Sequence, residues 1–247
     1  MQATELVWDV LRPVLRLRLA VFRHSVRAGT FPSARRVDVV ASADQARIDP
    51  SADRVGYLGS AAAARFGVLD DDLTTLARVA SLVGAHRGRP LTWVEVGAGL
   101  LTVRDAADDP PTALADVDAV VVALGFSDVL LMTSTRAWTR DLDRLLDHAR
   151  RPGRVLSPVL VGGIPPMERF TQTAGLGRTR IRAQIDRLDA ATEALVRSRG
   201  DCVFVPFPDI DAGAARVGGQ LWSWSRVHHL WSSALAPALA RLLDDEA

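Results

Sequence analysis

From Val55 onward the hydrophobic positions change period in a regular way, short apolar runs giving way to stretches whose apolar residues lie three and four apart. The runs at residues 55–58, 91–96, 119–124, 158–162 and 202–206 predict strands. The segments near 71–86, after Thr102, at 135–150 with Ser134 as cap, at 179–199 and at 227–244 predict helices. Residues 119–124, AVVVAL, are apolar without interruption, the pattern of a central parallel strand buried on both faces. Strands alternating with helices at this spacing predict a three-layer α/β/α domain around a parallel sheet with right-handed crossovers. The functional crevice of such a sheet lies outside the carboxyl ends of its strands. The loops after Leu58, Val96, Leu124, Gly162 and Pro206 are therefore the ones to read for chemistry.

The region before this alternation has a different pattern. Leu6, Val10, Val14, Leu17 and Val21 recur at helical spacing, while Arg12, Arg16, Arg23 and Arg27 occupy the rest of the circumference. This predicts an N-terminal amphipathic helix over 5–27, kinked or broken at Pro13. Its apolar face suits packing on the domain or a partner subunit, or peripheral contact with an anionic membrane surface. A short strand at 37–40 and a polar stretch follow, so the chain divides into an N-terminal helix and linker, 1–53, and an α/β domain, 54–247.

Composition narrows the functional classes. Thirty basic against 29 acidic residues give a net charge of +1, which supplies no electrostatic basis for binding nucleic acid. Every basic residue is arginine, as expected of a high-GC bacterial genome. The sole cysteine, Cys202, falls in the apolar run CVFV, which predicts a buried, inert thiol. No run reaches the length of a transmembrane helix and the N-terminus lacks an uninterrupted apolar core, so the expected location is cytoplasmic, with membrane-peripheral contact through the first helix as an option. The five histidines and one cysteine show no zinc spacing, and the Gly97-Ala98-Gly99 turn does not continue into a dinucleotide fingerprint. No metal and no cofactor is expected. The acidic runs Asp70-Asp71-Asp72 and Asp108-Asp109 precede a helix and a Pro-Pro turn, positions that helix-dipole complementarity and solvation explain.

The loops carry a resemblance. Gly125-Phe126-Ser127-Asp128 after the third regular strand resembles the G-x-N-D block of the SGNH/GDSL hydrolase superfamily. Residues 57–68, YLGSAAAARFGV, resemble its first block, which reads L-G-D-S with a small-residue tail. The loop Gly163-Ile164-Pro165-Pro166 and the last helix around Trp231 and 235–239 are similar to later family segments. The resemblance implies a flavodoxin-like SGNH-hydrolase fold and, in an intact member, a serine nucleophile, an oxyanion hole of a glycine and an asparagine, and a histidine base oriented by aspartate.

Carried over residue by residue, this machinery is degenerate. Aligned without a gap on Gly59 and Gly67, the first-block Asp becomes Ser60 and the nucleophile becomes Ala61. The oxyanion glycine falls on Leu100, with Gly99 adjacent, and the Asn is Ser127, while Gly125 and Asp128 remain. The last-block Asp and His fall on Gly219 and Trp222. A serine needs a base within hydrogen-bond reach, and that base needs a group to hold its tautomer. Neither pair survives.

Three readings follow. The first is a pseudoenzyme, an SGNH-like protein that acts by binding a partner, either an active relative or a second copy, or a membrane surface. The second is a serine esterase or acyltransferase with a relocated nucleophile. Ser60 would attack, Gly59, Gly99, Gly125 and Ser127 would line the oxyanion pocket, His228 would be the base and Asp128 a structural group at the site. The third is an α/β domain holding a small molecule, such as a phosphate at the Gly59-Ser60 turn. In the first reading the tract 218–226, GGQLWSWSR, together with Trp231 fills the crevice or offers an aromatic surface.

Overall fold

In a computed structural model, residues 13–14, 17, 21, 51–59, 67–96, 101–149, 157–169, 177–209 and 223–245 are described. They form a five-stranded sheet in the order β2-β1-β3-β4-β5, every pairing parallel. The strands are β1 (Asp53–Gly59), β2 (Leu91–Val96), β3 (Ala119–Ala123), β4 (Val159–Gly162) and β5 (Cys202–Val205). The helices are α1 (Thr75–Arg87), α2 (Val103–Asp108), α3 (Phe126–Leu130), α4 (Thr135–Ala149), α5 (Arg178–Arg199) and α6 (Trp224–Asp244), with short 3-10 turns between some of them.

The period-2 alternation of a strand sends neighbouring side chains to opposite faces, and here it sorts two cores. Val55, Tyr57, Ala119, Val121 and Leu160 pack under α1 and α6, where Val79, Val83, Trp231, Leu235 and Leu239 meet them. Leu58, Val94, Val120, Val122 and Val161 pack against α2, α4 and α5 through Ala106, Leu142, Leu146, Ile181 and Leu188. The three-layer arrangement expected from the sequence is present, and the strand order is the flavodoxin-like one. Every residue of β3 is buried, as its uninterrupted apolar run predicts for the middle strand.

Caps set the helix boundaries. Thr74 accepts the Ala77 amide to start α1, and Gly88, at φ +68°, ends it in the left-handed conformation. Thr102 and Asp105 form a reciprocal capping box at α2, and Ser134 accepts the Ala137 amide at α4. At the amino end of the sheet the Asp53 carboxylate is sealed from solvent and bound by Arg87, at 2.7 Å, and by Arg89, while Arg87 also reaches Asp244. This ion network ties the start of β1 to the ends of α1 and α6, on the far side of the sheet from the functional loops.

Several sequence expectations need correction. The segment after β3, read as a loop, is the five-residue helix α3. Cys202 is half-buried rather than sealed, because β5 is an edge strand whose Val203 faces outward. Of the N-terminal helix, Pro13, Val14, Leu17 and Val21 are helical and exposed; its remaining positions and the 37–40 strand lie outside the described residues. Among the described residues no helix is long and apolar enough to cross a membrane.

Candidate functional site

The carboxyl ends of β1, β3, β4 and β5 meet along one rim, and close backbone approach shapes it. Gly59, the last residue of β1, leaves no room for a side chain: a Cβ there would come within 2.8 Å of the Ala123 carbonyl and 2.9 Å of the Tyr57 ring. Gly163, after β4, donates its amide to the Val205 carbonyl, and a Cβ would lie 2.5 Å from the Phe207 nitrogen, so the loops following β4 and β5 run in contact. Gly125, after β3, has φ +112° and presses on Ile164. These glycines draw four loops together.

Ser127 and Asp128 stand in α3 directly behind this rim, both fully buried. Asp128 accepts the Val103 amide at 2.9 Å and the Thr133 hydroxyl at 3.0 Å, which ties the start of α2 to the loop after α3. Burial pushes its pKa up to about 6 in spite of those two bonds. Among the described residues the Ser127 hydroxyl has no hydrogen-bond partner. A buried polar group left in this state costs stability, and its chemistry differs from an asparagine's: one rotatable O–H in place of a fixed NH₂ fork.

His228 lies in the second turn of α6, one turn further along than the sequence reading placed it. It has no solvent-accessible surface, and its Nδ1 is 2.7 Å from the Thr75 hydroxyl at the start of α1. The ring of Trp224 lies one turn earlier, 6.4 Å away between centroids. Trp224 itself packs on Gly67, where a Cβ would overlap its indole at 1.8 Å. Gly67 also has φ +72°, so glycine is required there on two counts. The start of α6 is thereby held against the tail of the first block. The hydroxyl on Nδ1 stands where a base would need an orienting carboxylate.

The remaining positions singled out from the sequence, Ser60, Ala61, Gly99, Leu100, Gly219 and Trp222, lie outside the described residues. Sequence reading missed the Thr75–His228 pair, two polar residues 153 positions apart. It also missed Asp189 on α5, which accepts the Ile164 amide at 3.2 Å beside the β4 loop and whose pKa burial raises to about 7. A lone aspartate on a helix rich in Arg and Asp carries no sequence signal that separates it from a solvated one. Among the described residues no group of three His, Cys, Asp or Glu side chains is placed to hold a metal.

The chain belongs to the GDSL-like lipase/acylhydrolase family, whose model matches residues 57–238. Solved structures share the fold. TesA superposes with a TM-score of 0.57 at 19% identity over 77% of this chain and 99% of its own. A catalytic mutant of Axe2, an acetylxylan esterase from Geobacillus stearothermophilus, gives 0.55 at 15% over 77% and 94%. The psychrotrophic esterase EstA from Pseudoalteromonas sp. gives 0.55 at 12% over 78% and 99%. No curated protein matches the chain. The SGNH-type fold suggested by the loop motifs is thus established, and with it the family whose chemistry the site is to be judged against.

Proposed function

We propose that this protein is a non-hydrolysing member of its family that acts by binding. The observation that carries the reading is the register of the first block. Its two anchors are Gly59, which closes β1 against the Ala123 carbonyl, and Gly67, which takes a left-handed turn under Trp224. Aligned without a gap between them, the family's nucleophile position falls on Ala61. A methyl side chain has no lone pair with which to attack an ester.

Three further facts support it. The base position falls on Trp222 and its aspartate on Gly219. His228, the nearest histidine that a relocated site would use, is sealed and hydrogen-bonded to a hydroxyl. Ser127 replaces the oxyanion asparagine and is itself fully buried, and losing one oxyanion donor typically lowers kcat by about 10²–10³. Binding through the N-terminal segment, to a partner protein or a membrane surface, accords with the exposure of Val14, Leu17 and Val21 at helical spacing, 54–66% each.

The direct test is turnover of short-chain p-nitrophenyl esters by the wild-type chain and by Ser60→Ala. Both are expected to run at the rate of buffer. Hydrolysis that Ser60→Ala abolishes would replace this reading with an esterase whose nucleophile has moved by one position.

A further inference from the structure

At the carboxyl ends of β4 and β5 a cavity of about 170 Å³ lies between the loops that follow these strands and the first half of α5. Its lining includes the apolar residues Ile164, Ile185 and Phe207 with two prolines. Phe207 is braced from behind by Trp231, the ring centroids 5.4 Å apart. The lining also carries charge. Arg182 is committed to Asp186 at 2.9 Å and to Glu168 at 3.4 Å, and Arg169 and Asp209, which also line the cavity, have partners of their own. Asp189 differs. Among the described residues its carboxylate accepts a single hydrogen bond, from the Ile164 amide, and no cation forms an ion pair with it, Arg182 acting on it only at longer range.

We propose that this cavity binds a small organic cation, an ammonium or guanidinium group seated on the Asp189 carboxylate with its hydrocarbon body against Ile164, Ile185 and Phe207. A mostly buried carboxylate with one hydrogen bond is costly, and a cation with several N–H donors supplies what the protein withholds. The apolar lining residues accept alkyl groups, and a cation over the Phe207 face gains the attraction of the ring quadrupole. The lining holds three carboxylates against two guanidinium groups, so the local field opposes an anionic ligand. Burial raises the Asp189 pKa towards neutrality, and the Ile164 amide and the nearby Arg182 charge offset only part of that rise. The proposal stands independently of the loss of ester chemistry, because Asp189, Ile185 and Phe207 lie outside the aligned family blocks.

The test uses three probes with one hydrocarbon body, isoamylamine, isoamyl alcohol and isovalerate, titrated into the full chain at pH 8 and followed by amide chemical shifts. The amine is expected to bind, shifting the amides of Ile164, Ile185 and Phe207, with the alcohol and the carboxylate at least about tenfold weaker. Asp189→Asn keeps the acceptor for the Ile164 amide and is expected to unfold cooperatively while losing amine affinity at least about tenfold. Equal binding of the alcohol, preference for isovalerate, undiminished amine binding by Asp189→Asn, or no binding of the amine would each overturn the proposal.

Discussion

Gly125→Ala is expected to lower the unfolding free energy by about 3 kcal/mol, read as a drop in the urea midpoint. Two costs combine. At φ +112° an L side chain meets its own backbone, a penalty on the order of 1–2 kcal/mol. The added Cβ would also stand 2.5 and 2.6 Å from Ile164 Cδ1 and Cγ1. Ile164 is sealed in the core beside Trp138, so the clash is relieved only by overpacking that region, typically 1–3 kcal/mol. Gly177 provides the internal comparison. It also has positive φ, +83°, but among the described residues nothing lies within 4 Å of its Cβ position, so alanine there is expected to carry the backbone cost alone. Equal destabilisation by the two substitutions would mean that the loop after β3 is not packed against the loop after β4 as described.

Stability is expected to fall as pH rises from about 5 to 8, by several kcal/mol, on the order of 1.4 kcal/mol per unit of pKa shift. Asp128 and Asp189 have folded-state pKa values raised by burial to about 6 and about 7. Between the unfolded carboxylate range and those values the folded chain holds more protons than the unfolded chain, so the slope of stability against pH is negative there. The contribution is fully present near the unfolded pKa, is lost as pH rises through 6 and 7, and is constant above. At the acid end the sign reverses. For Asp141, burial alone would raise the pKa, but the bonded guanidinium groups of Arg140 and Arg104 hold it below the usual carboxylate range, so its stabilisation disappears once pH drops through that lower value. Thermal melts across pH 4–9 read the curve. Asp189→Asn is expected to flatten its upper limb and to be more stable than wild type at pH 8. An upper limb unchanged by Asp189→Asn would show that this carboxylate is not desolvated in the folded state.

The strands were the most legible part of the sequence because burial on both faces leaves a continuous apolar signature. Residues 119–124 predict the middle strand to within one residue, and 91–96 match β2 at both ends. Helix starts were legible where a hydroxyl cap precedes them, as at Thr102 and Ser134. The sequence does not say which strand is at the edge, and for that reason Cys202 was expected in the core. Five residues are too few to display helical periodicity, so α3 escaped notice although Gly125 announces a sharp turn. Of the candidate site, the replaced positions were readable because each is a residue standing where a motif requires another. Asp189 and the Thr75–His228 contact were not, since both arise from residues brought together only by the packing of α5 on the β4 loop and of α1 on α6.

Under the proposed function, the family fold is kept by its glycines and caps while its reactive groups have been replaced. The measurement that tests this most directly is labelling of the purified chain with a fluorophosphonate, read by intact mass. No adduct is expected at any serine, because among the described histidines of the site His228 is sealed against Thr75 and the proposed alignment puts Ala61 at the nucleophile position. A stoichiometric adduct that disappears in Ser60→Ala would contradict the account and show that an activated serine persists in this chain.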